Sequence, residues 1–447
     1  MDARRRSSSV VGGFPAGRLP LIGAPFATQL AAIFLLSAAV QLLAGWLLLF
    51  RWSVPSLDMD EQEYWSLAGQ VLAGVPMEVG RRTVAFPLVI AGLRSVADNL
   101  LFVQSAVAVL SATAAPLLAL VVRKLVRSQP AALLAGVGFA LWPAQVFYAS
   151  SLYSETLALP MFLLFLLLLP IRTAAGPEPR WWPWGLAGAM LGVTAHVRPM
   201  YQLFLPVLAL VLLLDLRRIA AAAGRFALVV AGFAVVVLPW SFYVSEKLGH
   251  PVLLTANGGE TFAGGFNPVV LKNGEHLVRV GNRTTWYGPG KWVSVTDNGY
   301  LSATEQSLPY AEQDRLMRER AMEWVKSDPA DAAYLAWRKI SYMWGIYPFA
   351  FNGVAQAIFG NALTLLLMIL FVVALVEDSA IRGRCARLTL LPLFVTGVGL
   401  ISWGSWRFRL PADAGMIAVV AIWMSAKAAT FRHHLPIEVE PEPCTTS

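Results

Sequence analysis

The sequence has little charge for its length. Only 14% of its 447 residues are charged, whereas 57% are hydrophobic. A soluble domain has about 25% charged residues, so this composition excludes an ordinary soluble protein and indicates an integral membrane protein. Cysteine is also scarce. The two cysteines have neither a plausible disulfide partner nor metal-ligand spacing, so they predict no disulfide framework and no cysteine metal site.

The net charge of +8 does not by itself indicate a nucleic-acid-binding protein. The basic residues occur in short clusters between apolar runs, which is the pattern that orients a polytopic membrane protein. We therefore expect the bilayer, and no nucleic acid, as a partner.

The basic start, Met1 to Arg18, resembles a signal peptide. The apolar run at 25–50 is too long for the h-region of such a peptide and lacks a clear cleavage site, so we interpret it as a retained transmembrane helix.

Apolar runs of spanning length, about 20 residues each, predict an all-α polytopic bundle of about ten transmembrane helices, within a range of about nine to twelve. The runs lie at roughly 26–50, 99–122, 130–149, 153–171, 183–198, 199–214, 226–244, 357–377, 388–404 and 412–430. With the N-terminus in the cytoplasm, every inside segment carries Arg or Lys, as the positive-inside rule requires. We therefore expect a multi-pass protein of the inner or plasma membrane with both termini cytoplasmic.

Two large segments are expected on the outer face. Within the first, Val84 to Val96 is apolar but too short to span, so we expect an interfacial amphipathic helix. Within the second, a polar insert at 245–339 contains a predicted charged helix from Pro309 to Val325. The predicted order is a cytoplasmic tail at 1–24, the first transmembrane helix at 25–50, the first outer loop at 51–98, helices two to seven at 99–244, the large outer loop at 245–356, helices eight to ten at 357–430 and a cytoplasmic tail at 431–447.

An acidic cluster follows the first apolar run. Asp58, Asp60, Glu61 and Glu63 lie within six positions at a predicted membrane edge. One interpretation is a capping box, in which Asp60 caps a helix and Glu63 reaches back. It does not account for Asp58 and Glu61, so we also expect a site that takes a proton or holds a cation. Asp58 and Asp60 form an Asp-x-Asp pair that can hold a divalent cation, although two acids alone are a weak metal signal.

Further ionisable residues are predicted at the same outer edge. Glu155 begins the fourth span, where such a residue indicates either function or an acid favoured by the helix dipole. Four arginines join it, namely Arg82, Arg198, Arg407 and Arg409. Guanidinium groups suit phosphate oxygens. These arginines could instead reach lipid headgroups or pair with the acidic cluster. Together they predict an anionic lipid-linked substrate with a carboxylate that activates an acceptor.

These residues resemble the motifs of GT-C-type integral membrane glycosyltransferases, in the group of protein O-mannosyltransferases and aminoarabinose transferases (families 39 and 83). The similar segments are Asp60-Glu61-Gln62-Glu63-Tyr64, Arg82-Thr83-Val84-Ala85-Phe86-Pro87, Ser154-Glu155, Val197-Arg198-Pro199, Pro239-Trp240, Asn257-Gly258-Gly259 through Asn267-Pro268, and Arg407-Phe408-Arg409-Leu410-Pro411. They occur in the family's order over nearly the whole chain. Val84 and Ala85 replace the family's Pro and Gly, and the Arg-Asn that usually follows Pro-Trp is absent.

The resemblance implies an inverting transfer of a hexosyl or pentosyl group from a polyprenyl-phosphate donor to a lipid, glycan or protein acceptor on the extracytoplasmic face. No nucleotide-sugar cradle is visible. The implied catalytic residues are Asp60 as general base, with Asp58 and Glu61. The implied ligands of the donor phosphate are Arg82, Arg198, Arg407 and Arg409. The implied substrate contacts are Tyr64, Glu155, Asn257 and Asn267. No cofactor is implied beyond a divalent cation at Asp58 and Asp60. Because an exposed Asp is a weak base with a pKa of about 3.9, we expect burial or neighbouring acids to raise the pKa of Asp60.

Other functions remain open from the residues alone. A transporter or flippase of lipid-linked sugars would bind phosphate with the same arginines, although transporters commonly place charges near the bilayer midplane in two matching halves. Here the predicted charges lie at one edge and the halves do not match. A membrane scaffold would present the loop at 245–339 to a partner. A surface-polysaccharide polymerase or ligase would share the lipid donor but usually relies on arginines and a histidine in a large outer loop.

Overall fold

The protein folds mainly into helices. The structure is a computed structural model that describes residues 25–47, 57, 59–149, 151–170, 180–216, 218–272, 276–280, 283–287, 290, 292–345 and 361–434. The helices are α1 (Phe26–Gly45), α2 (Met59–Leu72), α3 (Ala85–Val96), α4 (Leu100–Ala112), α5 (Ala114–Val126), α6 (Gln129–Ala140), α7 (Pro143–Tyr148), α8 (Glu155–Leu168), α9 (Trp182–Val197), α10 (Phe204–Leu216), α11 (Ile219–Leu248), α12 (Gly258–Gly265), α13 (Val269–Lys272), α14 (Tyr310–Ser327), α15 (Pro329–Met343), α16 (Ala362–Glu377), α17 (Ser379–Arg384), α18 (Ala386–Thr389), α19 (Leu391–Ile401) and α20 (Leu410–His434). Short 3₁₀ turns lie at Pro199–Leu203, Glu305–Ser307 and Trp406–Arg409.

Several helices are long and apolar enough to cross a membrane, so the chain is a membrane protein. The four such stretches among the described residues are Phe26–Gly45, Leu100–Val126, Ile219–Leu248 and Trp406–Thr430. Shorter apolar helices of 10–17 residues are Ala85–Val96, Gln129–Ala140, Glu155–Leu168, Pro199–Leu214, Ala362–Glu377 and Ala386–Ile401. These fall below the length of about 20 residues that a straight span needs, so the count of about ten spans stays a prediction. The predicted tail at 1–24 and residues 346–360 lie outside the described residues.

Prolines interrupt the helices at two places, one within a predicted run and one between two predicted runs. The run at 130–149 becomes α6 and α7, because Pro143 begins a new helix and cannot continue the old one. The runs at 183–198 and 199–214 are separated at Arg198, which has the extended backbone (φ −148°, ψ 110°) that a following proline favours.

One short segment departs from the all-α prediction. Strands β1 (His276–Val280) and β2 (Arg283–Tyr287) form an antiparallel hairpin in which His276 pairs with Tyr287. Valine, threonine and aromatic residues make up most of the two strands, and these residue types favour strands. The hairpin belongs to the predicted outer loop, and the rest of the described chain keeps the predicted helical class.

The central helix of the bundle is α8, since ten of its 14 residues are buried. Phe162 of α8 packs against Tyr201 in the 3₁₀ turn, Phe204 of α10 and Phe394 of α19, with ring centroids 4.8, 5.0 and 6.3 Å away. This aromatic core fixes the turn that follows Arg198. It thereby sets the position of that arginine relative to the first residue of α8, Glu155.

Helices α9 and α11 approach each other closely through glycines. A Cβ at Gly232 would lie 1.9 Å from the Gly185 carbonyl oxygen, and one at Gly188 would lie 1.9 Å from the Val229 carbonyl oxygen. Only hydrogen fits at these positions, as in the small-residue contacts common between membrane helices. The contact holds α9, and with it Arg198, against the long helix α11.

The predicted large outer loop has a small core of its own. Ala263 of α12 packs with Tyr300 and Leu301 and with Met317 and Ala321 of α14. This pairing of α12 with α14 holds Glu260, on the first turn of α12, beside the first outer loop. The predicted charged helix at 309–325 is confirmed as α14, and the predicted short helix at 84–96 as α3.

Candidate functional site

The first turn of α2 carries the acidic cluster. Helix α2 begins at Met59, so Asp60 and Glu61 lie in its first turn, where the helix dipole favours acids. The capping-box interpretation is wrong. Asp60 already lies inside the helix, and the carboxylates of Asp60 and Glu63 accept hydrogen bonds from arginine side chains.

The Asp60 carboxylate lies between two arginines. The Nη2 atom of Arg82 donates to Asp60 Oδ1 at 2.7 Å, and the Nη2 atom of Arg407 donates to Asp60 Oδ2 at 2.6 Å. These two arginines are 325 positions apart in the chain, one in the segment between α2 and α3 and one in the 3₁₀ turn before α20. The fold therefore brings together the acid and two of the arginines that the sequence singled out.

Glu155 joins a third arginine to this group. Its Oε2 atom lies 2.6 Å from Nη1 of Arg198, and its Oε1 atom lies 3.1 Å from Nε of Arg407. Arg198 Nη1 also donates to Ser154 Oγ at 3.0 Å. A buried glutamate with a guanidinium on each oxygen satisfies the condition for burying charge, which is pairing. Glu155 thus holds Arg198 and Arg407 side by side.

The same pattern continues on the other side of Arg82. Arg82 Nε donates to Glu63 Oε2 at 2.7 Å, and Glu63 Oε1 lies 3.8 Å from Arg81 Nε. Arg81 Nη2 donates to Glu260 Oε1 at 2.7 Å. We call the continuous series Arg198, Glu155, Arg407, Asp60, Arg82, Glu63, Arg81 and Glu260 the ion ladder.

Aromatic rings lie against three of the four arginines of the ion ladder. The Arg82 guanidinium lies 5.1 Å from the centroid of the Tyr64 ring, and that of Arg407 lies 4.6 Å from the Tyr153 ring. Arg198 lies 4.8 Å from the ring of Phe408. Such cation–π contacts stabilise partly desolvated guanidinium groups. Tyr64, predicted as a substrate contact, is buried and supports Arg82.

The pKa of Asp60 departs from the expectation. Burial by itself raises this pKa, but the charges of Arg407 and Arg82 and their hydrogen bonds outweigh it, so the pKa lies well below the usual range. The predicted upward shift is therefore wrong for this state of the site. Burial lowers the pKa of Arg82, but Tyr64, Asp60 and Glu63 together raise it well above its usual value. Both groups are charged at neutral pH.

Glu61 does not join the ion ladder. It is buried, and its Oε1 atom accepts a hydrogen bond from the backbone N–H of Leu152 at 2.8 Å. This bond fixes the segment just before Glu155. Asp58 lies outside the described residues.

Arg409 also lies apart from the ion ladder, although it is two positions from Arg407. Its Nε donates to Asp413 Oδ1 at 2.9 Å, its Nη1 to the Met343 carbonyl at 3.0 Å and its Nη2 to Thr364 Oγ1 at 2.9 Å. The side chains of Arg409 and Asp413 are buried. These contacts join α15, α16 and α20, and we therefore leave Arg409 out of the proposed phosphate site.

The two predicted asparagine contacts engage the protein itself. Asn267 is fully buried; its Nδ2 donates to the carbonyls of Ala263 and Gly264, and its Oδ1 accepts from the amides of Val269 and Val270. It thus joins the end of α12 to α13. The Asn257 Oδ1 atom accepts from Thr255 Oγ1 at 2.8 Å. Among the described residues, neither asparagine side chain forms a hydrogen bond with a member of the ion ladder.

The described residues do not fit a divalent cation. No three His, Cys, Asp or Glu side chains converge among them. In addition, each oxygen of Asp60 already accepts from a guanidinium, and two positive groups at that distance repel a cation. We derive no step through a metal.

Sequence reasoning missed part of the site. Arg81 directly precedes the Arg82 motif and Glu260 directly follows Gly258-Gly259, so inspection of charged neighbours could have found them. Glu63 is part of the predicted acidic cluster, but the sequence assigns it no separate role. Tyr310, whose hydroxyl donates to Glu260 Oε2 at 2.6 Å, has no local signal. It reaches the site only because α14 packs on α12.

The fold has solved counterparts. The chain matches the oligosaccharyltransferase of Archaeoglobus fulgidus tethered with an acceptor peptide (TM-score 0.52, 13% identity, 92% of this chain and 51% of that chain). It also matches the same organism's AglB in complex with an inhibitory peptide and a dolichol-phosphate (0.52, 14%, 91% and 51%) and the enzyme complexed with Zn and sulfate (0.51, 13%, 90% and 50%). The fold is that of an archaeal oligosaccharyltransferase.

That enzyme belongs to the GT-C superfamily, so the GT-C type of fold predicted from the motifs is confirmed. The closer resemblance to families 39 and 83 stays a prediction. The chain spans about half the length of the structures it matches. No family model and no curated protein matches the sequence.

Proposed function

We propose that the protein is a membrane glycosyltransferase that moves a sugar from a polyprenyl-phosphate donor to an acceptor hydroxyl or similar group, with inversion, on the extracytoplasmic face. The observation that carries the proposal is the contact of one acid, Asp60, with two arginines, Arg82 and Arg407, from distant parts of the chain. A base beside cationic groups is the arrangement that transfer from a lipid phosphate requires.

The chemistry assigns a role to each group. The acceptor oxygen attacks the anomeric carbon while its proton passes to the Asp60 carboxylate, and the bond between that carbon and the phosphate oxygen breaks. The electron pair remains on the leaving polyprenyl phosphate. Arg82, Arg407 and Arg198 stabilise the charge that develops there, which is commonly the largest catalytic contribution. Glu155 keeps Arg198 and Arg407 in position.

The solved counterparts support a lipid donor. One is in complex with an inhibitory peptide and a dolichol-phosphate, and another is tethered with an acceptor peptide. A polyprenyl chain dissolves in the bilayer, and a phosphate at its end reaches guanidinium groups at the membrane edge. The acceptor is a lipid, a glycan or a protein, and the transferred group is a hexosyl or pentosyl unit.

The two ends of α8 support the proposed orientation. Its first residue, Glu155, lies in the ion ladder. At its other end, Lys124 and Arg387 donate to the carbonyl oxygen of Leu169. By the positive-inside rule the basic end faces the cytoplasm. The ion ladder then faces the extracytoplasmic side, and both termini are cytoplasmic.

Transfer by purified protein tests the proposal. Wild-type protein in lipid nanodiscs is incubated with polyprenyl-phosphate sugars and lipid, glycan or peptide acceptors, beside Asp60→Asn and the control Asp98→Asn, whose carboxylate pairs with Arg94 and is exposed. We expect transfer by wild type and control, a product of inverted anomeric configuration, and at least about a 100-fold loss in Asp60→Asn. Equal transfer by Asp60→Asn would remove the base assignment. Movement of the donor across the membrane without transfer would indicate a flippase.

A further inference from the structure

The ion ladder is already neutral. Four guanidinium groups (Arg198, Arg407, Arg82 and Arg81) alternate with four carboxylates (Glu155, Asp60, Glu63 and Glu260). A sugar phosphodiester adds one negative charge. If the phosphate bound beside the complete ion ladder, negative charges would outnumber guanidinium groups in a partly buried site, which is costly. Binding of the phosphate therefore requires one carboxylate to separate from its arginines.

We propose that the donor phosphate binds by displacing the Asp60 carboxylate from Arg82 and Arg407, so that the base becomes free only once the donor is in place. This inference rests on the proposed function and adds an order to it. The donor binds first, and the acceptor is deprotonated afterwards. In the structure described here, Asp60 occupies the place of the phosphate oxygens.

The contacts identify Asp60 as the acid that leaves. Its side chain is 27% exposed, against 6% for Glu155 and 8% for Glu260, so its release requires less burial of unpaired charge. Asp60 also holds each arginine through the terminal Nη2 atom. Glu63 is nearly as exposed as Asp60, but it pairs with Arg81 and Arg82 and has no contact with Arg407.

The other acids keep the arginines in position when Asp60 leaves. Arg82 Nε remains bonded to Glu63 at 2.7 Å, and Arg407 Nε remains 3.1 Å from Glu155. Arg407 Nη2 then loses the Asp60 oxygen, and Arg82 Nη2 keeps Glu63 Oε2 at 2.6 Å but releases the N–H that Asp60 held. Each guanidinium can therefore donate to the volume that the carboxylate occupied. A phosphate presents two oxygens to paired donors as a carboxylate does. The phosphate site is thus formed in advance, with Asp60 as its internal occupant.

Displacement also explains how an acid with a low pKa acts as a base. While both arginines hold it, Asp60 has little tendency to take a proton. Once the phosphate has taken the two guanidinium groups, the lowering influence is lost and burial remains, which raises the pKa of a carboxyl group. The acid becomes a competent base in the ternary complex, where the acceptor proton is released.

The test is the affinity for polyprenyl phosphate without a sugar, measured by calorimetry on full-length protein in nanodiscs of neutral lipid. Asp60→Asn should bind at least about tenfold more tightly than wild type, because a charged competitor for both arginines is removed. Asp98→Asn should bind like wild type. Binding of inorganic phosphate and of phosphatidylglycerol is measured in parallel. If Asp60→Asn binds only polyprenyl phosphate more tightly than wild type does, the site belongs to the donor lipid. If its affinity rises only for inorganic phosphate, that assignment is overturned.

Equal or weaker binding by Asp60→Asn would overturn the displacement. If Asp60→Asn is less stable than wild type, thermal unfolding provides a second readout. Polyprenyl phosphate should raise the melting temperature of Asp60→Asn by more than it raises the melting temperature of wild type. The result is separate from the proposed function. Tight binding by Asp60→Asn without sugar transfer by wild type would support the displacement and refute the transferase. Sugar transfer by wild type with unchanged binding by Asp60→Asn would support the transferase and refute the displacement.

Discussion

At the scale of single residues, two arginines of one short motif have different surroundings. Arg407 contacts Asp60 and Glu155. Arg409 instead contacts Asp413, the Met343 carbonyl and the Thr364 hydroxyl. The motif alone cannot separate them, because both are arginines near a predicted membrane edge. The 3₁₀ turn at Trp406–Arg409 directs one to the ion ladder and the other inward.

Neutralising each arginine should therefore give opposite results. Arg407→Gln should lower kcat/KM for sugar transfer at least about 100-fold and leave the fold in place, since Asp60 keeps Arg82 and Glu155 keeps Arg198 as a partner. Arg409→Gln should destabilise the protein by about 3–5 kcal/mol, because it leaves a fully buried Asp413 without its cation. Transfer assays and thermal unfolding measure the two effects. Similar losses of stability in both variants would contradict the distinction.

Asp60 should give a defined pH dependence of stability. Its pKa in the folded protein lies below the usual value, so its stabilising contribution is fully present above the unfolded pKa of about 3.9 and is lost as the pH falls towards the folded value. The stability difference between wild type and Asp60→Asn should thus be constant from pH 5 to about pH 8 and shrink below about pH 4. A difference that grows on acidification would show that the arginines do not hold the carboxylate.

Sequence reasoning located part of the site for a physical reason. Charged residues beside apolar runs stand out in the sequence, and these include Asp60, Glu155, Arg82, Arg198 and Arg407. The sequence could not show which carboxylate oxygen faces which guanidinium group. From the sequence we expect burial or the neighbouring acids to raise the Asp60 pKa, but the nearest charges are arginines brought from distant segments, and they outweigh burial. Such long-range pairing has no local signature.

At the scale of elements, the helix contacts that set the site were only partly visible in the sequence. The turn before Pro199 and the division at Pro143 follow from proline chemistry. The close contact of α9 with α11 depends on three glycines that meet only after folding. The packing of α14 on α12, which brings Tyr310 to Glu260, likewise follows from tertiary structure.

The glycine contact makes a prediction about packing. Gly232→Ala should separate α9 from α11 and destabilise the protein by about 1–3 kcal/mol, because its Cβ would lie 1.9 Å from the Gly185 carbonyl oxygen. Gly224→Ala is the matched control, since a Cβ there has no neighbouring atom within 4 Å. Thermal unfolding of the two variants in the same nanodiscs decides. Equal stabilities would contradict the close approach of the two helices.

At the scale of the whole molecule, the polarity of the bundle is a testable expectation. In a background with both cysteines replaced by serine, Thr296→Cys in the outer loop should react with a membrane-impermeant maleimide in intact cells. Ala380→Cys, in the basic segment at α17, should react only after permeabilisation. Both positions are exposed in the structure. The opposite labelling pattern would place the ion ladder in the cytoplasm and contradict the proposed orientation.

The position of the donor phosphate tests the central claim most directly. An electron cryo-microscopy structure of the wild-type protein in nanodiscs with polyprenyl phosphate should show the phosphate bonded to the Nη2 atoms of Arg82 and Arg407. The Asp60 carboxylate should have moved away from both, while Glu63 and Glu155 keep their arginines. A phosphate bound elsewhere, with Asp60 still between the two guanidinium groups, would contradict the account.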